Sequence, residues 1–266
     1  MIVDLLLFLL IGAIAGFLAG LLGIGGGLVI VPVLAWLLLA SVPEHAMHVA
    51  VATSLGSIVF TSVSSLLAHH RHGAVLWQAV SELAPGLVLG SLAGALFAAR
   101  LSGQALILFF ACFCMLAGTH LLRRSNAVSG RGLPGRAGYV GAGMGIGVLS
   151  AMVGIGGGTL TVPWLLWRGT DIHRSVATAA ACGLPIAVAA VIGYVSAGWS
   201  RGGLPAGSAG FVHLPALAGI SVASVITAPW GARLAHRTQR QTLQRMFGGF
   251  LLLLSVYFAW RGFIVN

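Results

Sequence analysis

The chain has 266 residues, of which 58% are apolar and only 7% are charged, and its mean hydropathy is +1.02. A soluble domain carries about 25% charged residues, so this composition excludes a water-soluble globular enzyme and indicates a membrane protein. The net charge of +10 comes from 14 arginines that stand singly or in small groups between apolar runs, which excludes a nucleic-acid-binding face.

Ten apolar segments follow one another along the chain, each a continuous run rather than an alternation of polar and apolar residues. Continuous runs near twenty residues predict membrane-spanning helices, and they argue against a β-barrel, whose strands alternate. The fold class is therefore an all-α polytopic membrane protein. The segments are residues 2–22, 24–40, 47–68, 75–99, 104–122, 138–153, 155–167, 172–197, 211–232 and 246–264.

The polar stretch 123–136 divides the chain into two halves of similar length. We expect a first transmembrane repeat over residues 1–122 and a second over 137–266, joined by a cytoplasmic linker. The halves share a weak internal repeat, in which Val-Ala-Thr ending at Thr53 aligns with Val-Ala-Thr ending at Thr178.

The string Gly-Ile-Gly-Gly-Gly occurs twice, and a proline follows each copy. The first copy begins at Gly23 and is followed by Pro32; the second begins at Gly154, 131 residues later, and is followed by Pro163. Glycine-broken backbone is costly in hydrocarbon unless it lines a cavity, and matching interruptions in two halves point to a transporter's binding site. We therefore predict Gly-rich broken or re-entrant hairpins at residues 2–40 and 138–167.

The arginines decide between parallel and inverted halves. If each glycine motif lies in a single crossing, seven arginines fall on each side of the membrane; if each lies in a hairpin, eleven fall on one side and three on the other. Cytoplasmic loops carry the excess of arginine, so the hairpin topology is favoured. It predicts two inverted repeats of five helical elements each, with both termini outside the cytoplasm. The Arg-poor face then carries Arg100, Arg201 and Arg261.

Residues 2–40 could cross the membrane twice or form a re-entrant hairpin, because both have the same parity. At each motif, glycine allows close approach of another group, and the N–H groups of the helix that follows can bind an anion. The alternative interpretation is tight packing of small residues between helices. The substrate-binding candidates are Gly23, Gly25, Gly26, Gly27, Gly154, Gly156, Gly157 and Gly158, with Pro32 and Pro163 as structural motif residues.

Hydroxyl groups could complete an anion site without adding charge. Thr53, Ser54 and Thr178 lie in apolar helices, and Thr159 follows the second motif. Each could equally hydrogen-bond to backbone within its own helix or join two helices. Ionisable groups within the spans are few, and Glu82 and His213 are the candidates for carrying a coupling proton, with a position at the membrane interface as the alternative for both.

The paired glycine motifs resemble those of the TauE/SafE sulfite-exporter family, also called the TSUP group of membrane permeases. The stretches 210–217 and 227–237 are similar to the second half of that family, and the resemblance spans about residues 5 to 262. It implies a multi-pass transporter of the bacterial inner membrane for sulfur-containing anions such as sulfite, sulfoacetate or taurine. It carries over the motif glycines and the two prolines, and no catalytic residue.

The sequence thus predicts a secondary active transporter of small sulfur-containing anions, coupled to protons because no ATP-binding motif is present. Two alternatives remain open: an anion channel on the same scaffold, and a membrane-embedded sulfur-transfer partner acting through Cys112, Cys114 or Cys182. We expect no catalytic residue, metal or cofactor. The expected partners are the small anion and the lipid bilayer, and the oligomeric state stays open, with a homodimer as one possibility.

Overall fold

A computed structural model describes residues 2–22, 26–71, 73–122, 135–235 and 240–264. These residues form ten helices and one short β-hairpin. The linker residues 123–134 and the motif residues Gly23 and Gly25 lie outside the described part of the chain. The first half contains α1 (Ile2–Leu22), α2 (Gly27–Leu38), α3 (Ala46–Arg71), α4 (Trp77–Ala98) and α5 (Gly103–Leu122). The second half contains α6 (Arg136–Val153), α7 (Gly158–Trp167), α8 (Ile172–Gly198), β1 (Ser208–Ala209), β2 (Val212–His213), α9 (Leu214–Ala235) and α10 (Arg240–Ile264).

The molecule is apolar on its outside, as a protein in lipid must be. Helices α3, α4, α5, α8 and α9 each contain a stretch long and apolar enough to cross a membrane. Their outward side chains are large and apolar, for example Leu116 at 62% and Ile192 at 57% exposure. Small hydroxyl residues such as Ser57 and Ser91 are fully buried instead. The prediction of an all-α polytopic membrane protein is confirmed.

In each half, a long first helix is followed by a short second one. At about 1.5 Å per residue, the 12 residues of α2 and the 10 of α7 extend about 18 and 15 Å. The hydrocarbon core is about 30 Å thick, so each short helix covers roughly half of it. In the second half, the helix breaks between Val153 and Gly158, at the predicted motif.

Two glycine-lined seams join the halves. Along α1, a Cβ at Gly12 or Gly16 would collide with the backbone of α9 at Ile220 or Ser224. Along α4, glycines at 86, 90 and 94 meet the backbone of α6 at residues 140, 144 and 148 in the same way. The numbers rise together in both seams, so the paired helices are parallel. The small residues allow the close backbone contact that membrane helices use for association.

Helices at equivalent positions in the two halves pack antiparallel to each other. Between α3 and α8, Ser62 lies against Gly183, and Leu66, further along α3, packs on a cluster of Val75, Ala177 and Ala181, of which the two alanines precede Gly183 on α8. Between α5 and α10, Gln104 Nε2 donates to the Gly262 carbonyl at 2.7 Å, whereas Gly118 lies against Gly248. Antiparallel packing of equivalent helices is the arrangement that inverted halves require.

The sequence predicted one apolar segment from residue 211, but α9 begins only at Leu214. The preceding residues form the antiparallel β1–β2 hairpin, in which Ser208 pairs with His213. Gly207 and Gly210 allow this turn because their φ angles are +79° and +54°, in the left-handed region that favours glycine. The hairpin places Phe211 and His213 inside the bundle, where both are at least 92% covered.

Candidate functional site

The second break comprises residues 154–157, which join α6 to α7 in a non-helical path. Gly154 has a φ of +80°, and its N–H and that of Ile155 donate to the Ser150 carbonyl at 2.9 and 3.1 Å. These bonds end α6 with a left-handed residue, a conformation that only glycine adopts readily. Residues 154–157 are all buried.

The second break runs alongside α3, and its successive residues meet successive turns of that helix. Ser54 Oγ donates to the Gly154 carbonyl at 2.8 Å, and a Cβ at Gly156 would lie 3.3 Å from Ile58 Cγ2. At Gly157 the chain reaches α8, where a Cβ would lie 2.5 Å from the Ala179 carbonyl oxygen. Ser54 belongs to the first half, and its hydrogen bond therefore fixes the non-helical backbone of the second half.

The described end of the first glycine motif, Gly26 and Gly27, meets the second break inside the protein. A Cβ on Gly27, the first residue of α2, would collide with the carbonyl oxygen of Gly154. Gly26 is buried against α1, with the Ala15 carbonyl oxygen 3.3 Å from the position of a Cβ. The two glycine motifs, 131 residues apart in sequence, are thus in direct contact.

The N-terminal ends of α2 and α7 point toward the middle of the bundle. Each short helix leads to the start of α3 or α8, and these starts lie at opposite ends of the bundle because α3 and α8 are antiparallel. Gly27 lies at the level of Ser54, and Gly157 lies near Gly183, which contacts Ser62. Ser54 and Ser62 are two helical turns apart on α3, or about 12 Å. Measured along α3, the two helix starts therefore lie about that far apart, with the buried residues 155–157 between them.

Both helix starts lack a side-chain cap, because their N-cap residues are Gly26 and Gly157. The first N–H groups of a helix have no acceptor within the helix, and the helix dipole adds a partial positive charge there. Pro32 and Pro163, each the sixth residue of its helix, remove one further backbone donor. Two opposed, positively polarised helix starts are a suitable environment for an anion.

Two hydroxyl groups beside the second break have no partner among the described residues. Ser150 Oγ, four residues before Gly154, and Thr161 Oγ1, in the first turn of α7, are both in fully buried side chains. Buried hydroxyls are nearly always hydrogen-bonded, so such a pair marks a place for water or a ligand. Sequence reasoning did not single out Ser150 as a site residue. Its position one turn before the motif, in the last turn of α6, was the available signal.

The structure uses two predicted substrate-binding threonines to join the halves. Thr53 Oγ1 accepts from the His213 N–H at 3.0 Å, immediately before α9, and Thr178 Oγ1 accepts from the Leu76 N–H at 3.0 Å, immediately before α4. The two bonds are equivalent: each time, a threonine on the long third helix of one half binds the start of the fourth helix of the other. Both hydroxyls can still donate, so their role as substrate ligands stays a prediction.

The remaining predicted residues lie at helix starts. Thr159 is partly buried in the first turn of α7. Glu82 lies in the second turn of α4, partly buried, and accepts from Gln78 Nε2 at 3.2 Å. The His213 ring is 8% exposed and meets the Phe8 ring edge-on at 5.6 Å. Proton coupling through Glu82 or His213 stays a prediction.

Long apolar helices, paired half-helices and a glycine-lined meeting point between two equivalent halves define a polytopic membrane transporter. The sequence profile described as "Sulfite exporter TauE/SafE" matches residues 8–258. The chain belongs to the TauE/SafE sulfite exporter family.

Curated relatives from distant bacteria agree with this assignment. A "Probable membrane transporter protein" of Haemophilus influenzae is 37% identical over 96% of this chain and 98% of its own length. The "Probable membrane transporter protein YdhB" of Bacillus subtilis is 29% identical (75% of this chain, 80% of the relative), and a "Probable membrane transporter protein" of Xylella fastidiosa is 26% identical (94% and 93%). No solved structure matches this chain.

Proposed function

We propose that this transporter carries a small sulfur-containing anion, sulfite or an organosulfonate, by alternating access. The substrate binds between the starts of α2 and α7 and accepts hydrogen bonds from their first backbone N–H groups. The observation that carries the proposal is the contact of Gly27 with Gly154, which brings both glycine motifs to one place in the interior. The name of the matching family, which refers to sulfite export, supports the choice of substrate.

The hydroxyls of Ser150 and Thr161 are proposed as further donors to the anion. They flank the second break, are fully buried and have no partner within the described ranges. An uncharged donor suits a substrate that must leave again, because it binds an oxyanion without forming a tight ion pair. A hydrogen bond to a charged group contributes about 1.5–3 kcal/mol, so losing one should weaken binding about tenfold or more.

This role can be tested with Ser150→Ala and Thr161→Val in proteoliposomes, by measuring the KM for radiolabelled sulfite. We expect each change to raise KM about tenfold while the melting temperature stays the same, because neither hydroxyl has a partner to lose among the residues that the structure describes. Ser224→Ala is the matched control, since that buried hydroxyl donates to the Ser221 carbonyl at 3.2 Å on α9. Equal KM values for wild type, both variants and the control would contradict the proposal.

The substrate can be identified with a thermal-shift screen of the purified protein. Sulfite, sulfate, thiosulfate, taurine and sulfoacetate are compared, because a ligand that binds only the folded state raises the melting temperature by mass action. We expect at least one sulfur oxyanion to stabilise wild type and to lose most of this effect with Thr161→Val. An equal shift for both proteins would place the anion elsewhere.

The carrier mechanism further proposes proton coupling through Glu82 or His213. In that case Glu82→Gln or His213→Asn should abolish accumulation driven by a pH gradient but keep counterflow of labelled against unlabelled substrate. An absence of counterflow in the wild-type protein would instead favour an anion channel on the same scaffold. Unchanged pH-driven accumulation in both variants would remove these two residues from the mechanism.

We also propose that the protein lies in the bacterial inner membrane as two inverted repeats, with both termini outside the cytoplasm. The eleven-to-three distribution of arginines and the antiparallel packing of α3 with α8 support this orientation. An alkaline phosphatase fused after the C-terminus should be active, and a fusion within 123–136 should be inactive. The opposite pattern would reverse the orientation.

A further inference from the structure

A cavity of about 400 Å³ opens at one end of the helix bundle, away from the glycine breaks. Its walls come from both halves: the α2–α3 and α4–α5 loops of the first half, and the α8–β1 loop, β-hairpin and α10 of the second. The side chains that give it chemical character are Glu44, His45, His48, Arg100, Arg201 and Phe211.

The two arginines of this cavity are not explained by membrane topology. Arg100 and Arg201 belong to the Arg-poor face, where the charge rule predicts few basic residues, yet two of its three arginines converge on one cavity. Both side chains are exposed, and neither guanidinium pairs with a carboxylate in the described ranges. Guanidinium groups available in a concave site favour a carboxylate or sulfonate group.

His48 supplies the second, independent feature of the cavity. Its ring is 3% exposed and stacks on Phe211, with 5.2 Å between ring centroids. Nε2 lies 3.1 Å from the Ala98 carbonyl and 3.2 Å from the Leu101 carbonyl. Carbonyl oxygens only accept, so Nε2 carries the proton of the neutral ring and Nδ1 is left as an acceptor.

This Nδ1 atom is buried and has no hydrogen-bond partner among the residues that the structure describes. A buried acceptor without a donor is rare, and it calls for a ligand or water that supplies an N–H or O–H group. The carboxylate of Glu44 in the same cavity also accepts. The lining of the cavity therefore combines two guanidinium groups, which suit an acidic group, with Glu44 and the ring of His48, whose unpartnered Nδ1 would accept from a donor group that reaches it.

We propose that this cavity is a second ligand site, which binds a small organic acid that also carries a hydroxyl or amino group. The acid group lies against Arg100 and Arg201, and its hydroxyl or amino group donates to His48 Nδ1. The volume is sufficient for such a molecule, since small-molecule sites begin at about 300 Å³. Because both halves line the cavity, the bound acid connects them on the Arg-poor face.

Isothermal titration of the full-length protein in nanodiscs tests this site with two matched ligand pairs. We expect lactate to bind about tenfold more tightly than propionate, and isethionate about tenfold more tightly than ethanesulfonate, because only the first member of each pair donates to Nδ1. Arg100→Gln or Arg201→Gln should weaken both hydroxy acids about fivefold or more. Arg174→Gln, an exposed arginine on the opposite face, is the charge-matched control and should change affinity less than about twofold.

Equal affinity for lactate and propionate, or equal effects of the cavity and control variants on lactate binding, would overturn the proposal. The lactate and propionate pair keeps this outcome independent of the transport site, which is proposed to bind organosulfonates. Lactate is not a sulfur anion, and Ser150→Ala with Thr161→Val should leave its binding unchanged. Failure of sulfite transport with retained lactate binding would therefore reject only the transport proposal, and the reverse result would reject only the second site.

Discussion

Glycine has different purposes in the α4–α6 seam and in the second break, although the two regions follow each other in the chain. In the seam, a Cβ at Gly90 would collide with the Met144 carbonyl oxygen, so the glycine allows two backbones to touch. In the break, a Cβ at Gly156 would meet only the end of the Ile58 side chain, at 3.3 Å. A glycine-rich sequence therefore does not by itself locate a site. Within the break, Gly156 has no other backbone against it, whereas Gly157 lies against the Ala179 carbonyl oxygen.

The largest expected effect belongs to the seam. Gly90→Ala should destabilise the protein by about 2–3 kcal/mol, because its Cβ meets rigid backbone of α6 rather than a movable side chain. Gly141→Ala, on an open face of α6 with nothing within 4 Å of the added Cβ, should be neutral or stabilising. Thermal unfolding in detergent compares the two. Similar shifts for both variants would mean that the seam is not closely packed.

Gly156→Ala, in the second break, should reduce transport strongly and stability only slightly. The neighbouring Ile58 side chain can move by a few tenths of an ångström, so the melting temperature should fall by no more than about 2 °C. Sulfite transport should decrease about tenfold, since the methyl group occupies space beside the backbone that is proposed to hold the anion. Gly145→Ala, also with open space around it, is the control. Normal transport by Gly156→Ala would remove the break from the binding site.

A smaller effect is expected for the two threonines that join the halves. Thr53→Val and Thr178→Val each leave one backbone N–H, at His213 or Leu76, without its acceptor, which should cost about 1–2 kcal/mol. The costs should be similar if the halves are equivalent. If the predicted role of both hydroxyls as substrate ligands also holds, the KM for sulfite should rise in the same variants; an unchanged KM would limit both hydroxyls to joining the halves.

The sequence was sufficient for the features that depend on local pattern. The predicted segment 172–197 agrees with α8, Ile172–Gly198, and the helix breaks at the second glycine motif as expected. The bonds from Thr53 and Thr178 were not predictable, because each joins residues more than 100 positions apart. Hydrophobic periodicity describes which face of a helix is apolar, and it does not specify which distant helix start lies against that face.

The cavity on the Arg-poor face could not be predicted from the sequence for the same reason. Arg100 and Arg201 were assigned to one side of the membrane from the sequence, but nothing in their local surroundings indicated that they share a cavity with His48. Their convergence depends on the packing of the first half against the second. In the same way, the hydroxyls of Ser150 and Thr161 share the absence of a partner within the described residues with those of Ser91, Ser208 and Ser221, and their position beside the second break sets them apart. Such an absence becomes visible only in three dimensions.

The smallest expected effect concerns the start of α8, which contrasts with the uncapped start of α7. Asp171 Oδ2 accepts from the N–H groups of His173 and Arg174 at 2.9 and 3.3 Å, so this helix start satisfies its donors with a side chain. The Arg174 N–H, and then the His173 N–H, hold the pKa of the exposed Asp171 carboxyl below its ordinary value. Because the folded-state pKa is the lower one, the carboxylate stabilises the helix start above the unfolded-state pKa, and this contribution is lost as the pH falls through the folded-state value.

Asp171→Ala should therefore speed hydrogen exchange in the first turn of α8 at neutral pH, and the difference from wild type should narrow below about pH 4. Asp171→Asn keeps an uncharged cap, so its difference from wild type should not follow the same pH course. Transport should be unchanged in both variants, because this start already has its acceptor. The start of α7 has glycine in the same position, so no side chain caps it. Loss of sulfite transport in Asp171→Ala would contradict this division between a structural and a functional helix start.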